Sequence, residues 1–95
     1  MKITVEFLSL PNVAKMAGAR VVTVEFPGET VHELIQELCA RYGENVRQFL
    51  LDETGQLDMS LSVSINRREW IRRDHMNRKL KDGDRVAVMM LVAGG

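Results

Sequence analysis

The chain has 95 residues, 45% hydrophobic and 27% charged, with 2 prolines, which suits one domain spanning residues 1–95 and excludes disorder or two self-sufficient cores. No window approaches the roughly 18 apolar residues of a membrane span, the opening Met1–Phe7 lacks a secretory pattern, and lone Cys39 cannot close an internal disulfide, so the expected compartment is the cytoplasm. The formal net charge of 0 argues against a general polyanion binder, yet it is unevenly spread: residues 1–58 carry five basic and nine acidic side chains, residues 59–95 eight and four.

The opening stretch alternates Ile3, Val5 and Phe7 with Lys2, Thr4 and Glu6, the period of a half-buried strand. Leu10-Pro11-Asn12 ends it, and Val13–Ala19 reads as a loop. Arg20–Phe26 alternates again, with Val22, Val24 and Phe26 on one face, until Pro27-Gly28 stops it. Thr30-Val31-His32-Glu33 is a capping box that opens a helix with Val31, Leu34, Ile35, Leu38 and Tyr42 on one side and Gly43 placed to end it. A second short helix over 45–51 would put Val46, Phe49 and Leu50 together, before a turn over 52–55.

Leu61, Val63 and Ile65 alternate with serines as a third strand. Asn66-Arg67-Arg68 forms a turn into a short Glu69-Trp70-Ile71 segment. A polar loop runs to Leu80, Lys81-Asp82-Gly83-Asp84 makes a turn, and the last strand spans 85–92, with Val86, Val88 and Met90 facing inward. A helix placed between an initial antiparallel pair and later strands covers one face of a mixed sheet. The first and last strands then become central parallel neighbours, linked by a right-handed crossover. The expected fold class is α+β, a β-grasp (ubiquitin-like) mixed sheet packed on one main helix.

Chemistry-bearing constellations are sparse. His32 and His75 have no partner at metal-ligand spacing, no Cys-x-x-Cys exists, and no glycine-rich phosphate loop follows a strand, so no metal, bound cofactor or catalytic residue is expected. Cys39 beside Ile35 and Leu38 reads as a small residue at the edge of the core rather than a reactive thiol. The segment 67–81 is basic. Its Arg67, Arg68, Arg72 and Arg73 could meet an acidic partner or form a solvated edge; with only Trp70 as an aromatic, nucleic acid is the weaker alternative.

The run Ala87–Ala93 has no polar residue. Ala87, Met89 and Leu91 should face away from the core, which fits either a strand buried on both faces or an apolar patch that docks a partner. Beyond them stand Gly94 and Gly95. A terminal glycine pair is compatible with fraying, but glycine also lets a chain thread a narrow channel and leaves its carbonyl open to attack. An unactivated carboxylate is a poor electrophile, so an ATP-using partner would first have to adenylate it. Such a chain is a substrate and carrier that needs no catalytic residues of its own.

The helix start Glu29–Leu34, Asn66 after the third strand, Leu80–Val86 before the last strand and the ending Val92-Ala93-Gly94-Gly95 together resemble the ThiS/MoaD-type ubiquitin-like sulfur carrier family. The resemblance implies that an E1-like adenylating enzyme activates the Gly95 carboxyl with ATP, that a sulfur donor converts it to a thiocarboxylate, and that a downstream synthase takes the sulfur. It implies threading of Ala93 and Gly94 into the partner, and docking through Ala87, Met89, Leu91 and Val92. Thiamine, molybdopterin and cysteine or homocysteine synthesis are all compatible destinations. The small subunit of molybdopterin synthase, or a protein modifier conjugated through Gly95, are the alternatives.

Overall fold

In the computed structural model, which describes residues 1–91, the alternation of the opening residues makes β1 (Lys2–Leu8), with Ile3, Val5 and Phe7 buried on one face. β2 (Val21–Glu25) pairs with it antiparallel, Ile3 opposite Val24 and Val5 opposite Val22. The region between them differs from expectation. Pro11–Ala17 is a helix, α1, not a loop. Pro11 presets the helical φ of the first turn, and Gly18, at φ 90°, closes the last turn by donating its N–H to the Lys15 carbonyl. Only Val13 is fully buried in it, so it carries no apolar stripe that a 3.6-residue period could reveal.

α2 (Val31–Tyr42) begins at the capping box. The Glu33 N–H donates to Thr30 Oγ1 at 3.1 Å, and the Thr30 N–H donates to Glu33 Oε1 at 3.2 Å. A cap of this kind contributes about 1 kcal/mol. The helix buries Val31, Leu34, Ile35 and Leu38 against the sheet's inner side chains. Gly43, at φ 97°, donates its N–H to the Cys39 carbonyl and at once accepts from Val46 and Arg47. One glycine in the left-handed region thus ends α2 and starts α3 (Glu44–Leu50). Val46 and Leu50 face the core as expected, but Phe49 is 38% exposed.

β3 (Leu61–Ile65), β4 (Glu69–Ile71) and β5 (Arg85–Met90) complete one five-stranded sheet in the order β2-β1-β5-β3-β4. β5 lies parallel to β1 and antiparallel to β3, so the first and last strands are central neighbours, as the sequence predicts. Val86 and Val88 sit opposite Val5 and Phe7 on one side and Ile65 and Val63 on the other, all within a single buried cluster. This is the β-grasp arrangement. β5 is shorter than expected: it stops at Met90, and Leu91 follows outside the strand with its N–H donated to the Ser60 carbonyl at 2.7 Å. Met90, expected inward, lies at the end of the sheet opposite Leu61 and is 37% exposed.

Candidate functional site

The end of β5 is held from both sides. Met89 stands between Leu8 of β1 and Ser62 of β3 on the sheet face opposite α2. The same outer face carries a row running Val21, Glu6, Ala87, Ser64 and Trp70 across all five strands. In the middle of that row Glu6, Ala87 and Ser64 are buried, while Val21 (41%) and Trp70 (62%) are exposed at its ends. Burial on both faces accounts for the middle of the last strand, and its exposed apolar residues lie elsewhere. Ala87 is 5% exposed and is buried on both faces of the strand, which corrects its assignment as an exposed docking residue. Met89 is half-buried and Leu91 is 53% exposed, so the accessible apolar surface lies at the strand's exit. Leu8, which the sequence reading passed over, joins Met89 there; its outward position in the β1 alternation was the available signal. Val92, Ala93, Gly94 and Gly95 lie outside the described residues.

The basic segment is largely spoken for. Arg73 donates through Nε to the Leu57 carbonyl and pairs through Nη2 with Asp52. Arg78 makes a two-pronged pair with Glu69 at 2.8 and 2.7 Å. Arg72 meets Asp74 at 3.4 Å, and Lys79 lies 3.8 Å from Glu29. Arg67 pairs with Glu6. Arg68 is exposed and has no acidic partner among the described residues. The four arginines singled out by the sequence do not form one patch: Arg67 belongs to the outer sheet face, and Arg73 ties the 52–57 loop to the start of the 3₁₀ turn at Arg73–His75.

That loop has a pH signature. Asp52 Oδ1 accepts from the Thr54 hydroxyl at 2.6 Å and from the Thr54 and Gln56 N–H groups at 2.8 and 3.1 Å. The Thr54 hydroxyl, then these backbone donors and the Arg73 charge, hold its carboxyl down to about 2 from the ordinary 3.8. A depressed carboxylate stabilises the fold fully above its unfolded value and ceases to do so as pH falls through the folded one. Between pH 3.8 and about 2, the chain should lose stability more steeply than its Asp52→Asn variant in acid titrations followed by circular dichroism. Parallel titration curves would contradict this.

Cys39 is half-buried, and burial raises its thiol above the ordinary value. It is therefore protonated near neutrality, in keeping with the structural reading of this residue. Among the described residues no cluster of three His, Cys, Asp or Glu side chains could hold a metal ion, and no helix is long and apolar enough to cross a membrane.

A mixed sheet in this order, gripping one main helix and sending its central last strand out beside an apolar patch, defines a ubiquitin-like β-grasp protein. The model of the ThiS family matches residues 12–95, and the chain belongs to that family. Among solved structures it is similar to SAMP1 from Haloferax volcanii, at 22% identity and TM-score 0.79 with all of both chains covered. It is also similar to a molybdopterin converting factor subunit 1 from Pyrococcus furiosus, at 26% identity and TM-score 0.72 over 97% of this chain and 99% of that one. The Amycolatopsis orientalis BexX/CysO complex matches at 26% identity and TM-score 0.72, over 98% of this chain and 99% of the other. A search of curated proteins found no match.

Proposed function

We propose that this chain is a sulfur carrier whose reactive group is the Gly95 carboxylate. Membership of the ThiS family carries the reading, with the match extending through Gly95. The fold supports it: the strand that leads to the tail is pinned on both sides by β1 and β3, so the tail has a rigid base. An E1-like enzyme would bring the Gly95 carboxylate to the α-phosphorus of ATP. The carboxylate oxygen bonds to phosphorus, pyrophosphate leaves, and an acyl adenylate forms. A hydrosulfide equivalent from a sulfur donor then adds to the carbonyl carbon and expels AMP, leaving a thiocarboxylate. A downstream synthase takes the sulfur and returns the carboxylate.

The chain contributes no catalytic residue to these steps; it is bound, threaded and modified by enzymes of the cytoplasm. Leu8, Met89, Leu91 and Val92 supply the apolar docking surface, and Ala93 and Gly94 the slender approach. A related structure holds CysO together with BexX, and a similar pairing with a partner protein is proposed here. The test is ATP–pyrophosphate exchange by the E1-like enzyme. Label exchange should require this chain and should saturate with it. Exchange that is indifferent to the chain would refute adenylation.

A further inference from the structure

Glu6 is a carboxylate 4% exposed on the outer face of a sheet, and it serves two arginines at once. Arg85 donates to it through Nε, and Arg67 through Nη2 at 3.0 and 3.4 Å. The hydrogen bond from Arg85 and the charge of Arg67 outweigh burial and hold the carboxyl below its usual range. An arginine has five N–H donors, and here each spends only one nitrogen on Glu6. Among the described residues no other acceptor reaches either guanidinium. Arg73 and Arg78 differ: each is tied to a backbone carbonyl as well as to an acid. The Glu6 cluster thus keeps a surplus positive charge and open donors, with Arg67 68% and Arg85 47% exposed.

The backbone at Arg67 adds a second observation. Asn66 and Arg67 have φ 54° and 57°, and the turn is closed by the Arg68 N–H donating to the Ile65 carbonyl. Such a turn favours Asn at its first central position and Gly at its second. Asn66 is locked by Asp84 and by the Arg85 N–H. Arg67 occupies the place that glycine would fill without strain. Strain kept in this way is a pointer to use. Its effect is to lay a guanidinium beside Glu6, in the row that ends at exposed Trp70; arginine and tryptophan are the residues most often found at binding hot spots.

We propose that Arg67 and Arg85 form a carboxylate receptor on the outer sheet face that takes an Asp or Glu side chain of the adenylating partner, with Glu6 as the positioning residue. The inference rests on the proposed carrier function and adds to its apolar patch a charged contact on the same face. Arginine's planar fork suits a carboxylate with two parallel N–H donors, and a partner carboxylate would neutralise the surplus charge.

Arg67→Gly is the informative variant, because glycine fits the turn and only the guanidinium is lost. Binding of the E1-like enzyme is measured with the chain lacking Gly95, so that docking is read apart from adenylation. The expected result is a Kd about tenfold weaker for Arg67→Gly and a flatter salt dependence, with an unchanged far-ultraviolet spectrum. Arg67→Lys, which keeps the charge without the fork, should fall between the two. A partner Asp→Lys or Glu→Lys substitution should weaken binding of the parent chain and be rescued by Arg67→Glu. Equal affinities and salt slopes for parent and Arg67→Gly, or no binding by either, would overturn the receptor. So would binding of oligo(dT) that is lost on Arg67→Gly. A parent chain that binds through Arg67 yet supports no pyrophosphate exchange would instead refute the carrier function alone.

Discussion

A chain lacking Gly95 should accept no sulfur at all, while unfolding at the same denaturant concentration as the full chain. The two halves of this expectation have different origins. Among the described residues the buried cluster runs from Ile3 to Val88, and glycine has no side chain to add to it, so removal of residue 95 leaves every one of these core side chains in place. On the carrier reading, in contrast, the chemistry is confined to one carboxyl carbon, that of Gly95. Deleting Gly95 moves the carboxylate back by one residue, more than 3 Å along an extended chain, and attaches it to Gly94. Near-attack geometry tolerates far less, and misplacement by about 1 Å can cost a hundredfold in rate. Sulfide released on acid hydrolysis after incubation with partner, ATP and sulfur donor measures the uptake, and a urea titration measures the fold. Sulfide at the level of the full chain would place the reactive carboxyl elsewhere.

Phe7→Ala should cost about 3–5 kcal/mol, a large part of the roughly 5–15 kcal/mol that holds a domain of this kind together. Phe7 is 1% exposed near the end of β1 and lies directly opposite Val88 of β5. Its ring belongs to the one buried cluster that joins the inner face of the sheet to the helices, and cores packed to protein density close only part of the void that a lost ring leaves. The urea midpoint should fall sharply with little change in slope. Loss of carrier activity in this variant should follow the unfolded fraction, because Phe7 faces away from the outer surface that the partner would meet. A midpoint within experimental error of the parent would mean that the core is not organised around this ring.

The sequence made the central architecture legible because local signals and long-range packing agree there. Alternation in β1, β3 and β5, the Thr30–Glu33 capping box and Gly43 each name an element, and the parallel pairing of β1 with β5 follows from connection rules. α1 escaped because Pro11, read as a stop after β1, is also the residue that starts a helix, and a helix that buries only Val13 shows no stripe. Leu91 falls outside the strand, and Met90 on the inner face is 37% exposed, because alternation cannot tell where the neighbouring strand runs out; β3 begins at Leu61, opposite Met90.

The charge asymmetry is the clearest case of information that only the fold supplies. An acidic first half and a basic second half suggested a partner, and much of the asymmetry is settled internally. Arg67 and Arg85 meet Glu6, Arg73 meets Asp52, and Lys79 approaches Glu29, each pair joining the two halves. Glu6 shows why this could not be read in advance. It occupies a solvent-type position in the β1 alternation, and it is buried because residues 61 and 79 positions away in the chain fold over it. What remains unneutralised beside it is the part of the basic segment with a use to propose.

The measurement closest to the central claim is the intact mass of this chain after incubation with its E1-like enzyme, ATP and a sulfur donor. The carrier reading predicts a gain equal to the difference between a sulfur and an oxygen atom, dependent on ATP and located by fragmentation at Gly95. An unchanged mass, with an enzyme that demonstrably adenylates the chain and a donor shown to be active, would contradict it.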